Sequence, residues 1–154
     1  MLKVLKDKLS LINCICNAYP SHDWKMWKFS LLPREWWKNE QNQTQFLRWL
    51  RDNVPTYNNL ENWYRITHSE IRKHGGAGLL FVGKPLQEII MDVFKHDHKW
   101  DRWKFSYLPI SWLQDPALQR QYLDWVFTEA GLKSLEDWYR FKVSSMRRFK
   151  GGDY

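Results

Sequence analysis

Trp100-Asp101-Arg102-Trp103-Lys104-Phe105-Ser106-Tyr107-Leu108-Pro109 restates Trp24-Lys25-Met26-Trp27-Lys28-Phe29-Ser30-Leu31-Leu32-Pro33, which stands 76 positions earlier. The chain reads as a tandem repeat, the first thing a periodic sequence has to be tested for. In the same register Trp36 maps onto Trp112, Gln43 onto Gln119, Phe46 onto Tyr122, Leu47 onto Leu123 and Trp49 onto Trp125. After a slip of one residue, Leu60–Arg65 recurs as Leu135–Arg140 and Gly75-Gly76 as Gly151-Gly152. Upstream, Leu11, Ile15 and Tyr19 have counterparts in Leu86, Ile90 and Phe94, and Cys14 aligns with Ile89. Two helical repeats, near 1–76 and 77–154, are therefore expected. With only Gly75-Gly76-Ala77-Gly78 between them, they should pack together as one all-α unit related by pseudo-symmetry.

A chain of 154 residues with 11 Trp and 17% aromatics carries large buried area per residue, so a globular state is expected and disorder is not. No apolar run approaches the roughly 18 residues that a membrane span needs. Met1 to Ile15, with Lys3, Lys6 and Lys8 on an apolar background, has the composition of a targeting helix. Its recurrence in the second copy instead marks it as the first helix of the repeat. Cys14 and Cys16 stand two apart, a spacing that suits disulfide geometry poorly, and this fits a reducing intracellular compartment, a nucleus or organelle matrix included. Formal charge is +7, with 12 Lys and Arg against 7 Asp and Glu in residues 1–76 and 12 against 10 in 77–154. Both halves are basic, which favours nucleic acid or a nucleoprotein complex as partner.

Leu2, Leu5, Leu9, Ile12 and Ile15 recur at helical spacing, so 2–18 reads as an amphipathic helix that Tyr19-Pro20 ends. The cassette Trp24–Pro33 reads as a connector whose rings plug the core. Pro33 opens a short helix through Trp36 and Trp37, and a longer one starts near Asn42 with Phe46, Trp49 and Leu50 on one face. Val54 to Asn59 is a loop, Leu60–Arg65 one helical turn, and Thr67-x-x-Glu70 has capping-box spacing before a helix that Gly75-Gly76 stops. In the second copy, Leu79 to Val82 begins a helix or a short extended run, and 85–95 is helical. Asp115-Pro116 opens a helix that Ala130-Gly131 closes, and turns over Leu135–Tyr139 and about Ser144–Lys150 complete the unit. The sequence ends in phase with the period, just past Gly151-Gly152, as a longer array of the same unit would give.

Motifs for catalysis or metal are weak. Gly78 to Lys84 has the letters of a phosphate-binding loop, but Pro85 stands where a Ser or Thr must reach magnesium, and the middle is four apolar residues. His74-Gly75-Gly76 resembles an oxyanion stretch without the nucleophile elbow it would serve. Cys14, Cys16, His96 and His98 are zinc-ligand types, yet i and i+2 on a helix point apart, and Cys14 aligns with an expected core position. Glu61 and Glu136 are explained as helix-start acids. Neither an enzyme, nor a metal, nor a cofactor is expected.

Cations interleaved with aromatics are the remaining signal. Tyr139 to Lys150 carries Arg140, Lys142, Arg147, Arg148 and Lys150 with no acid, and these five are the expected phosphate contacts. Lys25, Lys28, Arg102 and Lys104 form a second expected set. Exposed rings beside them can stack on unpaired bases. Most aromatics, however, recur once per repeat, which is what a packed core demands. The function expected is a non-catalytic nucleic-acid-binding repeat module, RNA before DNA. A protein–protein adaptor or accessory subunit, anchored by exposed Trp and Tyr, is the alternative.

Tyr19-Pro20, Trp24–Phe29, Pro33–Trp37, Asn42–Leu50, Trp63-Tyr64 and Gly75–Leu80 together resemble a tryptophan-rich tandem repeat found in predicted proteins of unicellular eukaryotes and fungi. The likeness covers nearly the whole chain and implies the repeat, not an activity. The second copy departs from it, with Phe94-Lys95 for tyrosine-proline and Leu113 for the second Trp. Regular Trp spacing also resembles the Myb and SANT modules loosely, but the intervals of twelve to fourteen from Trp24 to Trp63 and from Trp100 to Trp138 are shorter than that family's, so no base-reading residues carry over.

Overall fold

The computed structural model of the chain describes residues 8–30 and 32–149. Leu2, Leu5, Lys150 and Gly151-Gly152 lie outside the described residues. Every regular element described is helical: α1 (Lys8–Ala18), α2 (Arg34–Trp37), α3 (Glu40–Asn53), α4 (His68–Lys73), α5 (Leu86–Val93), α6 (Ile110–Leu113) and α7 (Pro116–Glu129), joined by short 3-10 turns. The protein is all-α, as the sequence predicts. Contacts divide it into two compact units, one made of 1–62 with 66–98 and the other of 63–65 with 99–154. The period of the sequence and the grouping in space thus cut the chain at different places. The physical reason is that α5 packs on α3, while Tyr64 packs on the cassette at Trp100 and Phe105.

In the first unit, Phe46 is the hub. Its ring meets Trp27 at 5.5 Å, Trp37 at 5.2 Å and Trp49 at 6.4 Å, the first two edge-on as ring quadrupoles prefer. α3 begins two residues earlier than the sequence suggests, because the Asn39 side chain caps it by accepting from the Gln41 N–H at 2.8 Å. Buried Gln43 is satisfied by donating to the Trp37 carbonyl at 2.8 Å, and Gln119 makes the same bond to Leu113 at 2.7 Å. Thr67 caps α4 by accepting from the Glu70 N–H at 3.2 Å. Gly75, at φ +93°, closes α4 with bonds from Gly75 to Arg72 and from Gly76 to Ile71, a Schellman arrangement repeated after α7 by Gly131 and Leu132. Leu79 to Val82 resolves as a 3-10 turn over Ala77–Phe81 with Leu79 buried, not as a phosphate cradle.

One expectation needs correction. Cys14, aligned with a core position, is exposed. The buried indole of α2 is Trp37 and that of α6 is Trp112, which are not aligned positions. Trp37 fits because Gly78 leaves room for it: a Cβ there would stand 2.2 Å from the indole. Within the connecting cassette, Met26–Lys28 and Arg102–Lys104 each form a 3-10 turn.

Tyr57 is buried, and burial together with the Glu70 carboxylate 3.5 Å from its hydroxyl pushes its phenol up to about 12. Because the folded value lies above the unfolded one, near 10, the stabilisation is full below the unfolded pKa and is lost as pH rises through about 12. Ultraviolet titration of the phenolates should lose one late-ionising tyrosine in Tyr57→Phe. An unchanged titration curve would contradict this.

Candidate nucleic-acid interface

The C-terminal strip of the second unit is built by caps and rings. A capping box starts the turn Leu135–Arg140: the Ser134 side chain accepts from the N3 amide, and the Asp137 carboxylate accepts from the N–H groups of Ser134 at 3.0 Å and Lys133 at 2.8 Å. Those bonds, led by the one from Lys133, hold the Asp137 carboxyl below its ordinary range. A relay of rings then pins the strip to α7. Phe127 meets Trp138 at 6.2 Å, Trp138 meets Phe141 at 5.2 Å, Phe141 meets Phe149 at 6.3 Å, and Phe149 meets Trp125 at 5.8 Å.

With the rings turned onto the helix, the cations between them face solvent. Arg140, Lys142, Arg147 and Arg148 are all exposed, and none forms an ion pair with a carboxylate among the described residues. Arg140, Lys142 and Arg148 line one groove with Ser145, Phe141 and Phe149, and with Glu129. Arg148 donates to the Ser145 hydroxyl at 3.2 Å, which orients its guanidinium along that groove's lining. Arg147 does not line the groove. Lys150 is outside the described residues.

The second expected set is differently placed. Lys25 pairs with Asp23 and holds that carboxyl below its ordinary range, while Lys28 lies 5.4 Å over the Trp49 ring. In the other unit Lys104 pairs with Asp101 at 2.7 Å, and Arg102 lies 5.0 Å over Trp112. Each of the four thus has an internal partner, a carboxylate or a ring face.

Sequence reasoning missed two features here. Arg72 and Lys73, read only as the end of a helix, share a groove with Lys28, Ser30 and His74. The Trp27 indole N–H, in the wall of that groove, is buried without an acceptor among the described residues. Tyr139 and its repeat counterpart Tyr64 also differ in a way the alignment does not show, since Tyr64 is 2% exposed and Tyr139 is 92% exposed. Among the described residues no group of three His, Cys, Asp or Glu is placed to hold a metal ion, and no helix is long and apolar enough to cross a membrane.

Fold and surface together define an all-helical, tryptophan-rich chain with a solvent-facing cationic groove. Comparison with protein-family models, with curated proteins and with solved structures gives no match to this chain.

Proposed function

We propose that this chain is a non-catalytic helical module that binds single-stranded nucleic acid, RNA before DNA, through the groove of Arg140, Lys142 and Arg148. The observation that carries the reading is an excess of positive charge: Arg140, Lys142 and Arg148 are exposed, share one concavity with a single carboxylate, Glu129, and none of them forms an ion pair among the described residues. Phosphates along a strand are the ligand such an array suits, because each contact releases a condensed counterion. Arg147 adds to the field beside the groove. The likeness to tryptophan-rich tandem repeats rests on sequence motifs and adds no activity of its own.

Titration of a labelled single strand at several salt concentrations tests it. Binding should weaken steeply with salt, and Arg140→Ala/Lys142→Ala/Arg148→Ala should lower the slope of log K against log salt by about 2, at about 0.7 per phosphate contact. An unchanged affinity and slope in the triple variant would remove the groove from the reading. The exposed side chains of Ile110, Leu135 and Val143 favour the second reading, a protein-binding adaptor. No binding to either a single strand or a duplex at low salt would decide for it.

A further inference from the structure

Two contacts made in the middle of this chain recur as unmated halves elsewhere in it. In the first unit, α5 lays buried Leu86, Ile89, Ile90 and Phe94 on α3, where Leu47 is 0% exposed. Arg48 and Arg51 lie 5.8 Å and 5.6 Å over the Phe94 ring, and Arg48 pairs with Asp97 at 3.3 Å. In the second unit, Tyr64 lies 5.2 Å from Trp100 and 5.0 Å from Phe105. Its hydroxyl accepts from the Asp101 N–H and its carbonyl from the Ser106 N–H, both at 2.8 Å.

The repeat supplies each half again with its mating positions exposed. In α1 and just after it, the counterparts of Leu86, Ile89 and Phe94 are Leu11, Cys14 and Tyr19, all exposed, with Tyr19 at 63% where Phe94 is at 0%; Ile15, the counterpart of the fully buried Ile90, is partly covered, and Ile12 is buried. His22 donates its backbone N–H to Tyr19 as Asp97 and His98 do to Phe94. In α7 the counterpart of Leu47 is Leu123, 41% exposed, and at the place of Arg48 stands Asp124, whose carboxylate accepts from Arg120 at 2.9 Å and 3.0 Å.

The tyrosine contact divides the same way. Tyr139 is the exposed counterpart of Tyr64. Trp24 and Phe29 stack at 5.7 Å as Trp100 and Phe105 do at 5.6 Å, and beside them an open groove is lined by Lys25 and Lys28, the counterparts of Asp101 and Lys104.

We propose that copies of this chain associate head to tail: α7 and Tyr139 of one copy receive α1 and the Trp24–Phe29 cradle of the next. The contact is heterologous, so it propagates along a string of copies instead of closing on a two-fold axis. Apolar area and two aromatic anchors drive it, as between neighbouring repeats of a solenoid. It does not depend on the cationic groove.

Analytical ultracentrifugation of nucleic-acid-free protein, kept reduced so that Cys14 forms no disulfide, tests it. The weight-average mass should rise with concentration beyond that of a dimer. Leu11→Asp damages the head and Leu123→Asp the tail. Both positions are exposed, so circular dichroism and Tm should match the parent, while self-association weakens at least about tenfold in each. Mixed together, the two variants should form one-to-one dimers and nothing larger, because one intact head meets one intact tail. Tyr139→Ala should weaken that dimer as well. A parent monomeric at every concentration, variants that still associate alone, or a mixture that yields no dimer would each overturn the proposal.

Discussion

Phe46→Ala is expected to cost about 3–5 kcal/mol of stability, the range for emptying a fully buried phenylalanine site. Phe46 is completely buried, and three indoles converge on its ring, so its removal opens a cavity whose walls are rigid bicycles that cannot collapse inward without leaving their own contacts. Its counterpart Tyr122 is only partly buried, with Trp103 at 6.3 Å and Trp125 at 5.9 Å. Tyr122→Ala should therefore cost clearly less, since a half-exposed site loses less apolar burial and leaves a void that water can enter. Denaturant unfolding followed by tryptophan fluorescence is the measurement, and it is well placed because Trp27, Trp37 and Trp49 all border the site. An equal loss in the two variants would mean that the two copies bury their third-helix aromatic alike, against the exposures seen here.

That contrast shows what was legible in the sequence and what was not. The letters around Trp24 and Trp100 repeat, and so do the local geometries they encode: the stacked Trp–Phe pair, the 3-10 turn and the Gln-to-carbonyl bond. These depend on residues within a few positions of one another, and periodicity finds them. Burial across repeats depends instead on what lies against a residue from elsewhere. Leu47 and Leu123 are the same letter in the same register, yet α5 covers one and the other is exposed. Tyr64 and Tyr139 differ for the same reason, because only Tyr64 has a Trp–Phe cradle to enter. Alignment therefore placed Cys14 in a core that it does not reach. For the candidate site, the run from Arg140 to Arg148 was visible as cations without acids. Its sharing of one groove was not, since that follows from the ring relay pinning the strip to α7. The partners of Lys25, Lys28, Arg102 and Lys104 were hidden too, although Asp101 three residues before Lys104 is a spacing that side chains on a helical turn can bridge.

Gly75 and Gly83 separate two costs that glycine substitutions usually mix. Both have positive φ, +93° and +85°, where an L side chain is strained by about 1–2 kcal/mol. Their surroundings differ. A Cβ on Gly83 meets nothing within 4 Å, whereas one on Gly75 stands 2.4 Å from the Trp27 carbonyl oxygen, a backbone atom that can yield only if the cassette shifts. Gly83→Ala should thus lose only the conformational strain. Gly75→Ala should add an overpacking cost of about 1–3 kcal/mol. The cassette is also where the damage should show. Trp27 is buried against Phe46 and Trp49, so moving its backbone disturbs the ring cluster and should change tryptophan emission in the folded state of Gly75→Ala and leave it unchanged in Gly83→Ala. Matched denaturation curves decide the ordering: if the two alanine variants lose the same stability with the same native emission, the close approach of α4's end to Trp27 is not what selects glycine there.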